Sequence, residues 1–212
     1  HAVAHLRHVT KGPGARGQRQ LPARVMRHDG RVVRCVTVRE HGRAPVRVLV
    51  AQDLTLTGGL RMLHELALYS RAEHSGIPRV QFARASSKGI AAVVTVSQGR
   101  TLEALYSSDP VSEKHALQVA AQLSSLVGAI HAANFLLLTV APTKFVVPQK
   151  DGQLLLTDSP LCLPLESSAV RERMRKGDIT VLGVPDYLAP EQTEGPGKLC
   201  RATDIFGIGA VP

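Results

Sequence analysis

The 212-residue sequence predicts an α+β fold, in which a small β-sheet with one helix is followed by a mainly helical second half. Two patterns carry this prediction. Alternating, valine-rich segments such as RVVRCVTVRE (31–40) are typical of strands with one buried face. The segment 109–134 instead repeats small and aliphatic residues at spacings of three and four, which is typical of an amphipathic helix.

The first half is predicted to fold between residues 29 and 98. Two alternating segments flank the turn HGRAP, so we expect them to form a hairpin. The next segment places Leu60, Leu63, Ala67 and Leu68 on one face, which indicates a helix. Two further apolar segments read as strands. In chain order the predicted elements are strands 31–40 and 46–53, helix 57–74, and strands 79–86 and 89–97.

The second half begins with the clearest helix of the sequence. Asp109 followed by Pro110 can cap and start it, and Ser112 is a rival cap. Its predicted buried face is apolar, and two short strand-like segments, KFVV and QLLLTD, follow it around the turn PQKDG. The predicted face consists of Ala116, Ala120, Leu123, Val127 and Ile130.

Composition places the chain among globular proteins, with 44% hydrophobic and 20% charged residues. We find no apolar run of about 18 residues, so we expect no membrane span. The cysteines are odd in number, far apart and without metal-ligand spacing, which favours a reducing, cytoplasmic compartment. They are Cys35, Cys162 and Cys200.

The net charge of +9 is concentrated at the start of the chain. Residues 1–47 contain eleven Lys and Arg against two acids, Asp29 and Glu40. Such a flank can contact nucleic acid, an acidic protein or anionic lipid. The segment KGPGARGQRQ (11–20) is dense in Gly, Arg and Gln, so we expect a basic flexible leader at 1–28. Because the arginines are dispersed and no aromatic residues lie between them for base stacking, nucleic acid is not the favoured partner.

Two motifs near the end of the chain resemble parts of protein kinases. GVPDYLAPE (183–191) resembles the end of a kinase activation segment, with Ala189-Pro190-Glu191 as its A-P-E motif. RATDIFGIG (201–209) resembles the start of the next long kinase helix, with Asp204 at the position of a structural aspartate.

Two earlier motifs follow the same order. LLLTDSP (154–160) resembles the kinase strand that delivers D-F-G, with Asp158 retained and Ser-Pro in place of Phe-Gly. LHEL (63–66) resembles the helix that kinases call αC, with Glu65 as its ion-pairing acid. An unrelated α+β domain is the alternative interpretation of the four motifs.

The resemblance covers residues 30–212 and implies a two-lobed protein-kinase-like fold. It implies a β-rich N-lobe at 29–98 and a mainly helical, partial C-lobe at 99–212, truncated at the start of the helix that kinases call αF. YLAPEQTEG followed by TDIFGIG further resembles the kinase-like region upstream of the sensor part of hybrid histidine kinases, which would place the chain in a two-component system.

The stretch HAANFLLLTVAPTKFVV (131–147), which has no charged side chain from Ala132 to Thr143, lies where the resemblance places the kinase catalytic loop. The kinase pattern H-R-D-L-x-x-x-N places Leu138 at its Arg, Thr139 at the catalytic Asp and Lys144 at the Asn, and Pro142 supports this register. Thr139 is a poor base, and Lys144 brings a positive charge to the place of a metal ion. A buried turn filled by apolar residues is the structural alternative.

The phosphate-binding groups of the small lobe are also missing. The strand position of the kinase lysine falls within 48–52, where no residue is charged, so Glu65 lacks its usual partner. Arg47 or Arg61 are candidate replacements, but a solvent-facing acid on a helix is the favoured interpretation of Glu65. The glycine-rich loop has only Gly30, which makes it bulkier and less able to approach phosphates.

Asp158 is the one residue of the kinase reaction chemistry that this sequence keeps. Its carboxylate oxygen can bind Mg²⁺. Without partners it would be a weak site, so we expect no cofactor or weak Mg·ATP binding. Its alternative role is to accept backbone hydrogen bonds in a turn. Glu191 and Asp204 read as structural: the resemblance implies that Glu191 pairs with an Arg of a later helix and that Asp204 bonds the loop backbone.

The activation-segment counterpart, 161–188, contains Ser167, Ser168, Thr180 and the basic run RERMRK (171–176). A phosphate on this segment would be able to pair with those arginines, although unmodified serines are the simpler interpretation.

The sequence therefore predicts a catalytically impaired kinase-like domain, a pseudokinase, that acts in signalling by binding protein partners or by conformational relay. One alternative is a divergent, ATP-binding protein Ser/Thr kinase that transfers phosphate to protein. A second is a basic nucleic-acid-binding protein.

Overall fold

The computed structural model describes residues 24–28, 31–38, 45–51, 57–87, 89–107, 111–148, 152–165, 172, 184–194 and 198–211. Several sequence predictions fall on other residues and lie outside the described part. These are the leader up to residue 23, Gly30, Asp109, most of the turns HGRAP and PQKDG, and Ser167, Ser168 and Thr180 with nearly all of the run 171–176.

The chain divides into two compact units. The first comprises His1–Met62 and Arg79–Val96, and the second comprises Leu63–Pro78 and Ser97–Pro212. The division after Val96 lies two residues before the expected boundary between 98 and 99, and residues 63–78 join the second unit rather than the first. The two-lobed arrangement itself stays a prediction.

The first unit contains a five-stranded antiparallel sheet in the order β1-β2-β3-β5-β4. The predicted hairpin of the second and third strands is confirmed, since Val38 pairs with Val46 and Arg34 with Val50. Alternation sets the buried face, as in β5, where every second residue is buried. The strands are β1 (Arg24–His28), β2 (Arg31–Val38), β3 (Val46–Ala51), β4 (Val80–Ser86) and β5 (Gly89–Thr95).

Residues 24–28 form strand β1, although a flexible leader was expected there. Arg24–His28 pairs antiparallel with β2, and His28 faces Arg31 across the connection. The expectation that residues 1–28 are a flexible leader is therefore wrong for 24–28. RVMRH places two adjacent apolar residues between basic ones, so no alternating strand period shows in its sequence.

Helix α1 (Thr57–Arg71) continues across the division between the units at Met62. Its existence was predicted, but its buried face differs from the expected one. Met62, Leu66 and Tyr69 are buried at helical spacings of four and three, together with Leu68. The expected face at Leu60, Leu63 and Ala67 is only half-buried.

Helix α3 (Glu113–Ala132) is the longest described helix of the second unit. Ser112 is its N-cap, because its side chain accepts a hydrogen bond from the backbone N–H of His115. The helix therefore begins after the rival cap and not at Asp109. Its core face carries Val119, Leu123, Leu126, Val127 and Ile130.

Short elements complete the second unit. Strands β6, β8 and β9 form one antiparallel sheet, and β7 pairs with β10. Within the described ranges, no helix has the length and apolar character that crossing a bilayer requires. The elements are β6 (Arg100–Thr101), α2 (Leu102–Tyr106), β7 (Phe135–Leu136), a 3-10 turn (Pro142–Lys144), β8 (Phe145–Val147), β9 (Leu155–Leu156), β10 (Leu163–Pro164), a 3-10 turn (Pro185–Tyr187), α4 (Pro190–Glu194) and α5 (Arg201–Ala210).

Candidate functional site

The loop that follows β7 is held through its backbone by a buried carboxylate. Asp204 on α5 is 1% exposed. Its Oδ2 accepts from the N–H of Leu137 at 2.8 Å, and its Oδ1 accepts from the N–H of Leu138 at 2.7 Å. Charge-assisted bonds of this kind are about twice as strong as neutral ones, so this aspartate fixes the path of the loop.

His131, near the end of α3, joins the same carboxylate. Its Nε2 lies 2.8 Å from Asp204 Oδ2, and because a carboxylate only accepts, this nitrogen carries the hydrogen. Arg201, at the start of α5, donates to the backbone oxygen of His131 at 3.3 Å. Helices α3 and α5 are thus tied to the loop at a common point.

Leu138 has a left-handed backbone with φ of 61°. This conformation costs about 1–2 kcal/mol for a residue with a Cβ, so its surroundings must enforce it. Its N–H is bound by Asp204, and its carbonyl accepts from Gln192 Nε2 at 3.1 Å. Gln192 in turn accepts from the N–H of Ala189 through Oε1 at 3.0 Å. The A-P-E-like segment is therefore bonded to the loop.

Strand β7 and the loop after it each contribute a leucine to an apolar cluster. Leu136, Leu138 and Leu163 are buried together. Leu138, which the sequence pattern predicts at the arginine position of the kinase loop, packs in this cluster. The expected apolar, buried turn is confirmed here, because all four residues Phe135–Leu138 are at most 3% exposed. The partly buried members of the cluster are Leu161, Leu165 and Leu199.

Thr139, predicted at the position of the catalytic aspartate, is 5% exposed. Its hydroxyl donates to the backbone oxygen of Leu137 at 3.4 Å, which is a long hydrogen bond. A neutral hydroxyl in this setting cannot accept a proton from an attacking group near neutral pH, because its conjugate acid is far too strong.

Lys144 and Asp158 form an ion pair. Lys144 Nζ lies 2.6 Å from Asp158 Oδ1, and the two side chains are 22% and 33% exposed. Lys144 ends the 3-10 turn before β8, and Asp158 follows β9, so the antiparallel pairing of these strands brings the two residues together. The residues predicted at the Asn and the D-F-G Asp positions are therefore in direct contact.

The groups around Asp158 do not provide the ligands that a magnesium ion requires. Mg²⁺ takes an octahedral set of oxygen ligands. Here an ammonium group, which has no acceptor and carries a positive charge, holds Oδ1 of the carboxylate at 2.6 Å. Among the described residues, no group of three or more His, Cys, Asp or Glu side chains is arranged to hold a metal ion.

Glu65 on α1 is buried, with 7% exposure, so the expectation of a solvent-facing acid is wrong. Its Oε1 accepts from the hydroxyl of Tyr69 at 2.6 Å and from the backbone N–H of Ser159 at 3.1 Å. The tyrosine lies one helical turn away, which is why the carboxylate can remain buried without a lysine partner. Glu65 thus holds the backbone immediately after Asp158.

The segment after Asp158 is fixed at further points. Leu163 pairs with Leu136, and the N–H of Leu165 donates to the backbone oxygen of Asn134 at 2.8 Å. Cys162 is buried within this segment. Burial, and secondarily the negative charge of Glu65, raise the pKa of the Cys162 thiol far above its ordinary value. This thiol is therefore inert as a nucleophile in the folded chain.

Glu191, expected to pair with an arginine of a later helix, has a different contact here. Its Oε1 accepts from the hydroxyl of Thr203 at 2.7 Å. Thr203 is buried at 2% exposure and also accepts from the N–H of Cys200 at 3.1 Å. The contact joins α4 to the start of α5.

The structure brings the sequence-predicted residues into two groups of contacts. Lys144 binds Asp158 directly, and Glu65 binds the neighbouring residue Ser159. Asp204 anchors the backbone that leads to Thr139. In the first unit, the described residues of the expected lysine position, 48–51, are uncharged strand residues of β3, and Gln52 lies outside the described part.

Sequence reasoning missed four contributing residues: His131, Tyr69, Gln192 and Thr203. The contact of Tyr69 was predictable, because a tyrosine four residues after a glutamate on a helix can donate a hydrogen bond to it. The other three contacts join residues that are 12 to 73 positions apart, and no local pattern indicates them.

No protein-family model matches the chain. Curated proteins similar to it are protein kinases. The Rho-associated protein kinase let-502 of Caenorhabditis briggsae is 26% identical over 148 residues, which are 68% of this chain and 12% of that protein. Dual specificity testis-specific protein kinase 1 of Rattus norvegicus is 27% identical over 150 residues, 70% of this chain and 24% of that protein.

Rho-associated protein kinase 1 of Homo sapiens is 31% identical over 120 residues, 55% of this chain and 8% of that protein. The chain thus spans at most about a quarter of the length of these three relatives. Together with the sheet and helices described above, these similarities support a kinase-like domain of the α+β class.

Proposed function

We propose that this kinase-like domain is a pseudokinase, a catalytically impaired module of a signalling protein. It acts by binding protein partners or by relaying a conformational change. The observation that carries the proposal is the 2.6 Å ion pair between Lys144 and Asp158.

The chemistry of phosphoryl transfer explains why this contact matters. The protein contributes positioning and charge stabilisation, and metal ions bridge the phosphate oxygens. In this chain a tethered ammonium group neutralises the carboxylate that would hold a metal. A divalent ion would have to displace Lys144 and then be repelled by it at short range.

The missing base supports the same proposal. Thr139 is neutral and buried, and its hydroxyl bonds the backbone of its own loop. A kinase-like loop without its base loses general-base catalysis, which typically contributes about 10²–10⁴-fold in rate. Loss of both base and metal position leaves the domain without the groups that accelerate transfer.

The intact loop supports a role in binding or relay. Asp204 and Gln192 hold the loop backbone through hydrogen bonds, and His131 bonds the Asp204 carboxylate; none of these contacts requires nucleotide or metal. A surface held in this way keeps one shape for a partner to recognise, which lowers the entropy cost of binding.

Phosphate transfer from ATP is the direct test. The purified chain would be incubated with radiolabelled ATP, Mg²⁺ or Mn²⁺ and a generic protein substrate, beside Asp158→Ala. We expect incorporation into the substrate and into the chain itself to equal that of Asp158→Ala. Lys114→Met, a change at an exposed residue of α3, is the matched control for purification and handling. Incorporation that Asp158→Ala abolishes would refute the proposal.

The second candidate is a divergent protein Ser/Thr kinase that uses relocated groups. Retention of Asp158, and the bond from Glu65 to the backbone of Ser159, favour it. The relatives, which are named as kinases, are compatible with it. Metal-dependent transfer that survives Thr139→Ala but is lost in Asp158→Ala would favour this candidate over the pseudokinase.

The placement in a hybrid sensor histidine kinase, with a cytoplasmic location, is a further proposal that rests on YLAPEQTEG and TDIFGIG. Mass spectrometry of the protein isolated from its source, with peptides mapped to the gene, would test the placement. A dimerisation and phospho-acceptor histidine module in the same polypeptide would support it, and a polypeptide without one would contradict it.

A further inference from the structure

The two compact units carry opposite charge. Residues 1–62 and 79–96 contain fifteen Lys and Arg against three acids, Asp29, Glu40 and Asp53. The remaining residues contain eleven Lys and Arg against fourteen acids. The first unit is therefore the part of the chain whose field attracts an acidic partner.

Strand β4 lies at an edge of the sheet in this basic unit. In the order β1-β2-β3-β5-β4, its only neighbouring strand among the described residues is β5. Every residue from Gln81 to Ser86 is exposed. The outer N–H and C=O groups of such an edge are a template on which another extended chain can pair.

The side chains of β4 offer distinct contacts on its two faces. Phe82 faces Val93 and is 53% exposed, so it provides an apolar anchor beside the edge. Arg84 lies two residues further on the same face. Ala83 and Ala85 are exposed on the other face, where their small side chains leave room for those of an added strand.

Charge decides which kind of strand fits. No acid lies between Glu73 and Glu103, whereas Arg79, Arg84 and Lys88 lie on or beside β4 in the sequence. A second copy of β4 would bring like charges together, which destabilises cross-strand pairs. The irregularity between Val80 and Phe82 also disfavours pairing of two identical flat edges.

We propose that β4 is the docking edge for an acidic, extended segment of a partner protein. The segment adds as a sixth strand, an apolar residue of the segment packs on Phe82, and its carboxylates lie near Arg79 and Arg84. The inference concerns the sheet edge of the first unit and does not depend on the proposed pseudokinase function, which is argued from Lys144, Asp158 and Thr139 of the second unit.

Binding of designed peptides tests the docking edge. The probe is a fluorescein-labelled nonapeptide that alternates Glu and Val, and its anisotropy is followed with the intact chain. We expect saturable binding that weakens as salt is raised from about 0.05 to 0.3 M, because the ionic attraction is screened. The same peptide with every backbone amide N-methylated keeps the charge but cannot donate to the strand edge, and we expect it to bind at least tenfold more weakly.

Variants of the chain locate the site. We expect Arg84→Glu to weaken peptide binding about tenfold and Phe82→Ala about fivefold, with an unchanged melting temperature. Lys114→Glu makes the same charge change at an exposed position of α3, in the second unit, and we expect no effect. Equal binding of the N-methylated peptide, or equal loss in Lys114→Glu and Arg84→Glu, would overturn the proposal.

Two further measurements distinguish strand addition from misfolding of a variant and from binding of any polyanion. If Arg84→Glu does not fold, amide hydrogen exchange of the unmodified chain, with and without peptide, tests the docking edge instead. We expect the peptide to slow exchange at residues 80–86, and unchanged exchange there would refute the docking edge. Competition with a single-stranded DNA 15-mer tests for binding of any polyanion. If the DNA displaces the peptide and N-methylation does not weaken peptide binding, the surface binds polyanions in general and strand addition is refuted.

Discussion

Two neighbouring parts of the second unit differ in how strongly they are fixed. In the loop anchor, which we define as His131, Leu137, Leu138 and Asp204, the carboxylate has no exposed surface and receives three hydrogen bonds. In the ion-pair site, which we define as Lys144 and Asp158, both side chains are partly exposed. The anchor tolerates little change, whereas the ion-pair site can change its chemistry at small cost in stability.

On the proposed pseudokinase function, this difference accounts for a domain that keeps its shape when its reactive groups are exchanged. Removing one member of a buried, charged hydrogen-bond network leaves unpaired groups that cost several kcal/mol. A partly exposed ion pair such as Lys144 and Asp158 contributes much less, because solvent screens both charges. Substitutions at the ion-pair site should therefore cost less stability than substitutions at the loop anchor.

The largest expected effect follows from removing the anchor carboxylate. Asp204→Ala leaves the N–H groups of Leu137 and Leu138 buried without an acceptor. We expect the free energy of unfolding to fall by about 3–5 kcal/mol, measured by urea denaturation. Asp186→Ala, at an exposed acid, is the control and should leave the midpoint unchanged. A loss below about 1 kcal/mol in Asp204→Ala would remove the basis of the comparison.

A pair of glycine substitutions on α5 tests how closely the helix approaches the loop. A Cβ on Gly207 would lie 2.7 Å from Cβ of Val140, whereas a Cβ on Gly209 meets nothing within 4 Å. We expect Gly207→Ala to destabilise the chain by about 1–3 kcal/mol through overpacking. Gly209→Ala should stabilise it by about 0.5–1 kcal/mol, because alanine favours the helix. Similar melting temperatures for the two variants would contradict the close approach.

A smaller effect is expected at the ion-pair site. Lys144→Met removes the ammonium group and keeps most of the side-chain length. We expect the free energy of unfolding to change by less than about 1 kcal/mol, since partly exposed pairs contribute little. The same urea titration measures it, with Lys114→Met as the control. A loss as large as that of Asp204→Ala would show that the ion-pair site is as important for stability as the anchor.

Thiol reactivity reports how firmly the segment after Asp158 is held. Cys162 is buried and its pKa is raised by burial, whereas Cys200 is exposed. We expect a maleimide reagent near pH 7.5 to label Cys200 at least about 100-fold faster than Cys162, as read by peptide mass spectrometry. Comparable rates would mean that this segment opens readily.

Elements with a long, regular period were predictable from the sequence. Strand β5 alternates and α3 repeats at helical spacing, and both appear where they were expected. Strand β1 was missed because its five residues, RVMRH, show no alternating period. Strands β6, β7 and β10 have only two residues each, which is too short for any period to show.

The sequence indicated which residues to expect at the site, but not which of them contact each other. The loop register placed Lys144 at a metal-binding position, yet only the pairing of β8 with β9 brings it against Asp158. Glu65 was expected to face solvent because a lone acid on a helix usually does. Its burial depends on Tyr69 and on the backbone of Ser159, and the second of these is 94 residues away in the sequence.

The central claim is that the ammonium group of Lys144 takes the place of a metal ion at Asp158. The most direct measurement compares the melting temperature of the native chain and of Lys144→Asn with and without Mn·ATP, with Asp158→Ala added to the variant as the control. Binding to the folded state raises the melting temperature. We predict no rise for the native chain and a rise of about 2 °C or more for Lys144→Asn that Asp158→Ala removes. An equal shift in the native chain and in Lys144→Asn, whether zero or large, would contradict the account.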